Sequence, residues 1–144
     1  MGRTFVMLWA LVALPFVVTA ATGGPDGLLP HAVFHPVYIV FLVGAILVLV
    51  RLRAATGSRM LRALALALLV AQAVAIVGHI GEEIAVLQHG GLSAGEDIFV
   101  ESLHFWSANL TVPGLLASLL LLIVITIAAI LARRRERRHA MSSI

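Results

Sequence analysis

The chain has 144 residues, 61% of them hydrophobic, a formal net charge of +3 and six histidines. With a mean hydropathy of +1.08, that composition belongs to an integral membrane protein rather than a water-soluble domain. The absence of cysteine removes disulfides, thiolate nucleophiles, iron–sulfur clusters and c-type haem attachment, and the absence of lysine removes retinal and pyridoxal-phosphate Schiff bases.

A transmembrane helix needs about 20 mostly apolar residues, and four stretches approach or exceed that length in a single membrane domain spanning 1–144. The first runs from Thr4 to Ala21. Arg3, the apolar core and Val18-Thr19-Ala20 also fit a cleaved signal peptide; the preferred reading is a retained helix. A turn-rich loop, Gly23-Gly24-Pro25-Asp26-Gly27, leads to a second span from Pro36 to Leu52, with Pro36 placed at its first turn, where a missing N–H costs nothing. After a short basic loop, the third span runs from Leu61 to Leu87. His89-Gly90-Gly91 reads as its stop, because glycine accepts the left-handed C-cap conformation.

Ser93-Ala94-Gly95-Glu96 then matches a capping box. It predicts a short amphipathic helix over 94–106 on the outer membrane surface. On that helix Asp97, Glu101 and His104 form a polar stripe opposite Phe99, Leu103 and Trp106. Pro113 is expected to break or kink the run into the fourth span, Leu110 to Ala132. The fold expected is an all-α bundle of four transmembrane helices plus that surface helix.

Charge is segregated along these elements. All ten basic residues are arginines. Arg3, Arg51, Arg53, Arg59, Arg62 and the 133–138 run flank one end of the spans, whereas five histidines and six acids flank the other. Positive residues mark the cytoplasmic side, so both termini are expected inside and the His/acid cluster outside, as in a prokaryotic-type cell membrane. The basic clusters predict contact with anionic membrane lipids and not with nucleic acid.

The same segregation leaves the outer carboxylates without a Lys or Arg partner. His79-x-x-Glu82-Glu83 puts His79 and either glutamate on one helix face, with Gln72 two turns deeper. Glu101-x-x-His104 repeats the spacing, and His31 and His35 approach from the first outer segment. The expected metal ligands are His79, Glu82, Glu83, Glu101 and His104, with His35 in addition; a glutamate not bound to metal, Glu82 or Glu83, would act as general base. Mixed imidazole and carboxylate donors suit zinc or iron. Haem b held by His79 with His35 or His104 is an alternative. So is a non-catalytic accessory subunit packed on a larger membrane complex, or on a copy of itself, through small residues such as Gly44 and Ala45. Asp26, His89 and His139 are expected to be peripheral.

His79-Ile80-Gly81-Glu82-Glu83 resembles the motif that names the HXXEE family of small membrane proteins, and His104 followed by Pro113-Gly114 and a leucine-rich run is similar to the family's later elements. The resemblance covers residues 79–118. It implies a site at His79, Glu82, Glu83 and His104, and no particular reaction.

Overall fold

The computed structural model describes residues 2–24 and 29–142, so Asp26 and most of the Gly23–Gly27 turn lie outside the described residues. The described residues form four helices and no strand: α1 (Gly2–Thr22), α2 (His31–Ala55), α3 (Arg59–Gln88) and α4 (Ser102–Ser142). All four contain stretches long and apolar enough to cross a membrane. The protein is an all-helical, polytopic bundle.

At the arginine end the core is predominantly apolar. Leu8 and Val12 of α1 meet Leu49 and Leu52 of α2, Leu61 and Leu68 of α3, and Leu122 and Ile125 of α4. Here the Trp9 indole N–H donates to Thr126 Oγ1 at 3.1 Å, tying α1 to α4. In lipid such packing and hydrogen bonds hold helices together, because burial against hydrocarbon gives no hydrophobic gain.

α3 and α4 form the closest pair. Gly78 and Gly81 of α3 face Ser107 and Thr111 of α4, and Gly114 of α4 lies against Ala71 and Ala75 of α3. A seam of small residues brings the two backbones together. α3 then stops where expected on physical grounds: His89 is its C-cap and Gly90 adopts φ 109°, a conformation that an L side chain resists.

Three local expectations need correction. First, no amphipathic surface helix forms over 94–106. The segment consists of two 3₁₀ turns, Gly91–Ser93 and Glu96–Val100, after which α4 begins at Ser102. The backbone is extended at Gly95 (ψ 179°) and Glu101 (ψ 136°), and these two breaks destroy the helical register that the polar stripe required. Second, Ser93 does not start a helix as the capping-box spacing predicts: it ends the first 3₁₀ turn, and Gly95 precedes the second. The cap of α4 is Glu101, whose Oε2 accepts from the His104 N–H at 2.8 Å while its carbonyl accepts from Phe105 N–H at 2.9 Å.

Third, the prolines sit differently. α2 begins at His31, just after Pro30, whose carbonyl accepts from Val33 and Phe34. Pro36 is therefore inside the helix. Pro113 also lies within α4, which runs from Ser102 to Ser142, so of the expected break or kink the break does not occur. Each proline deletes one intrahelical bond without ending its helix.

Candidate metal centre

These boundaries move the histidines into the bundle. Starting α2 at His31 places His31 and His35 one turn apart on a single face. Extending α3 to Gln88 leaves His79 nine residues, about 13 Å, short of the helix end. Starting α4 at Ser102 puts His104 in its first turn. Three helices thus deliver His31, His35, His79, Glu82 and His104 to one interior region, and all five are buried.

The nitrogens converge closely. His35 Nδ1 and His79 Nδ1 are 2.9 Å apart, and His31 Nε2 and His104 Nε2 are 3.3 Å apart. His104 Nε2 also lies 3.6 Å from Glu82 Oε2. Metal–imidazole bonds of about 2.0–2.1 Å would separate two ligand nitrogens by roughly 3.3 Å at a tetrahedral angle and roughly 2.9 Å at a right angle. The observed spacings are compatible with those values and are equally those of imidazole–imidazole hydrogen bonds. Two groups have donor atoms all within 4.8 Å of one another, His31/His35/His104 and His35/His79/Glu82. His35 belongs to both, and either buried group could hold a metal ion.

Surrounding side chains orient the donors. Thr111 Oγ1 donates to Glu82 Oε1, holding the carboxylate against α4. Phe99 closes the loop side, its ring 5.1 Å from that of His31 and 5.4 Å from that of His104. The Tyr38 ring lies 5.0 Å from that of His79, and its hydroxyl donates to the Pro15 carbonyl at 2.8 Å and contacts the Thr19 hydroxyl. The Nε2 atoms of His35 and His79 are buried and have no hydrogen-bond partner. Below the cluster Gln72 is fully buried, and neither end of its amide has a partner.

A cavity of about 340 Å³ adjoins the cluster. Its lining is overwhelmingly apolar, with Phe16, Phe34, Val112, Leu115 and Leu116 prominent, and His35, His79, Glu82, His104 and Thr111 also border it. Ligand sites of this kind are concave, mostly apolar and carry a few convergent polar groups.

Two residues expected as ligands lie elsewhere. Glu101 spends its carboxylate on the first turn of α4, with a further hydrogen bond from Ser102 Oγ at 3.2 Å, and belongs to neither group. Backbone N–H groups of His104, first, and Leu103 hold its carboxyl below the usual carboxylate range. A lowered folded-state value means that its contribution to stability is complete above the unfolded value near 4.3 and fades as pH falls through the folded one. Glu101→Ala is therefore expected to speed amide exchange across 103–105 at neutral pH, whereas Glu101→Gln, which keeps an acceptor oxygen, should leave exchange close to wild type. Glu83 is half-buried with Oε2 unpartnered and also falls outside both groups. Exposed His89 bonds its own helix through Nδ1 to Ala85 O at 2.9 Å.

Sequence reasoning gave His31 only a supporting place and overlooked Tyr38, Phe34 and Thr111 as parts of the site. His31-x-x-x-His35 was the available signal, hidden by placing the start of α2 at Pro36. The 2.9 Å contact also leaves no room for a haem plane between His35 and His79 as an axial pair.

Fold and site together define a class: a membrane-type helical bundle with a buried histidine–glutamate cluster able to hold a metal ion. Comparison with known proteins finds no matching family, no matching curated protein and no matching solved structure.

Proposed function

We propose that this is an integral membrane protein with a histidine–carboxylate metal centre inside the helical bundle, loaded with zinc or iron. The chemistry of such a centre is activation of water or oxygen toward a lipidic or small apolar substrate. The observation that carries the reading is the convergence of four buried histidines and one buried glutamate from three helices, at spacings compatible with metal ligands. Ionisable side chains within membrane spans are costly, on the order of 3 kcal/mol for a charge at a helix centre, and mark functional sites by default. The resemblance of His79–Glu83 to the HXXEE motif supports the same location.

Within this reading His31, His35, His79 and His104 supply the imidazoles. Glu82, held by Thr111 and lining the cavity, serves as a ligand or as the general base beside one. Glu83 and Glu101 are outside the immediate shell. The arginine bias supports an orientation with the cluster toward the extracytoplasmic face and both termini in the cytoplasm.

Elemental mass spectrometry of detergent-purified protein tests the proposal. About one zinc or iron ion per chain is expected. Protein that stays folded yet carries no transition metal, and takes up neither zinc(II) nor iron(II) on dialysis, would overturn it in favour of a subunit whose role is packing.

A further inference from the structure

α1 and α4 touch at one end of the bundle and part at the other. Trp9 bonds Thr126, and Leu8 and Val12 pack with Leu122 and Ile125. One turn beyond Val12 a cavity intervenes, lined by Phe16 and Thr19 of α1 together with Leu115 and Leu116 of α4. Pro15 marks the transition, and its missing N–H removes the intrahelical bond to the Leu11 carbonyl. Val112 and Leu116 line the cavity yet are 54% and 57% exposed on the flank of the bundle. The opening is therefore lateral, within the membrane-spanning part of α4. Toward the loops the cluster is covered, because Phe99 lies on His31 and His104 while Ile98 is fully buried against Ala85 and Val86.

The polarity of the cavity indicates what can lie in it. Its lining is mostly apolar and continuous with the lipid-facing flank. His35, His79 and Glu82 also border it, and the Nε2 atoms of His35 and His79 are buried without a hydrogen-bond partner. No fixed cation is available to an anionic head group, since the protein has no lysine and all its arginines lie toward the other end of the spans. In the metal-free protein a phosphate or carboxylate head would face Glu82 with no compensating charge, so the preference for a neutral head group belongs to the metal-free cavity. A hydroxyl, by contrast, can donate to an imidazole nitrogen or to Glu82 and accept from the other tautomer.

We infer that this cavity receives the single hydrocarbon chain of a long-chain alcohol, which enters from the bilayer between α1 and α4 and brings its hydroxyl to His79 and Glu82. The inference rests on the metal-centre reading for the role of the bound alcohol as substrate. Its occupancy of the cavity rests on the geometry alone.

The test uses a hexadecanol bearing a diazirine near its far end, incorporated into phosphatidylcholine vesicles with the full-length protein and photolysed. Parallel samples carry the same diazirine on hexadecanoic acid or on one acyl chain of phosphatidylcholine. The alcohol probe is expected to label the segments around Phe16 and Leu115–Leu116 at least fivefold above the lipid-facing positions Val40 and Leu120, and excess unlabelled hexadecanol should suppress that labelling. Ala108→Trp, which fills the cavity, should reduce it fivefold or more, while Leu120→Trp should not. Uniform labelling of all exposed positions, or equal labelling of the cavity by the phosphatidylcholine probe, would overturn the inference. In the metal-free protein, stronger labelling by the acid than by the alcohol would overturn the neutral head group. Wild-type mapping stands even if Ala108→Trp fails to fold. Metal content measured on the same samples separates the two readings: cavity labelling without metal sinks the metal centre and leaves the binding site.

Discussion

Replacing His35 with alanine is expected to abolish metal retention, while the same change at His89 leaves it intact. His35 is the one residue shared by both candidate ligand groups, it is 1% exposed, and its Nδ1 is 2.9 Å from that of His79. Loss of a group that only hydrogen-bonds a ligand already weakens metal binding by about 10–100-fold, so loss of a shared ligand should exceed 100-fold. Isothermal titration of zinc(II) into metal-stripped protein measures it. Glu82→Gln and His31→Ala then divide the two groups: the substitution that reproduces the His35→Ala loss identifies the group that holds the ion. Equal zinc affinity in wild type, His35→Ala and His89→Ala would remove this cluster as the metal site. A helical circular dichroism spectrum for His35→Ala guards against confusing lost metal with lost fold.

The four helices were legible because a bilayer leaves few alternatives to a long apolar run: backbone polar groups must be satisfied within the helix. The His79–Glu82 spacing was legible for an equally local reason, since residues three apart share a face whatever surrounds them. What failed was the placement of helix ends. Pro36 is compatible with a first turn, and only the bonding of Val33 and Phe34 to Pro30 shows the helix starting earlier. That shift of five residues turned His31 and His35 from loop residues into buried ones. Likewise Asp97, Glu101 and His104 share a stripe only if 94–106 is one helix. Extended backbone at Glu101 separates Asp97 from His104 and sends the two toward different surroundings, one exposed and one buried. The cavity had no signature in the chain, because it arises from two helices that meet at Trp9–Thr126 and part beyond Pro15. Gaps between elements are tertiary facts.

A single methyl group at Gly78 should be among the most damaging substitutions in the molecule. A Cβ built there would lie 2.2 Å from Thr111 Oγ1, 2.6 Å from the Thr111 backbone nitrogen and 2.8 Å from the Ser107 carbonyl oxygen. Two of those three atoms are backbone, so no rotamer change relieves the conflict and α4 itself must move. Overpacking of this kind costs about 1–3 kcal/mol, and it must also cancel the roughly 1 kcal/mol by which alanine is the better helix former. The consequence reaches the site, because the same stretch of α4 carries Thr111, which orients Glu82. Two other glycines provide the scale. At Gly81 the close atoms are Ser107 Oγ at 2.1 Å and Cβ at 3.0 Å, both side chain, and the hydroxyl can rotate away. At Gly44 the nearest atom is a Leu11 methyl at 3.2 Å, the end of a flexible side chain. Thermal unfolding in detergent should therefore rank the variants Gly44→Ala nearest wild type, Gly81→Ala intermediate and Gly78→Ala lowest, with zinc binding weakened in the last. A Gly78→Ala protein as stable as Gly44→Ala would mean that α3 and α4 do not approach as closely as this seam requires, and the convergence of His79, Glu82 and His104 would fall with it.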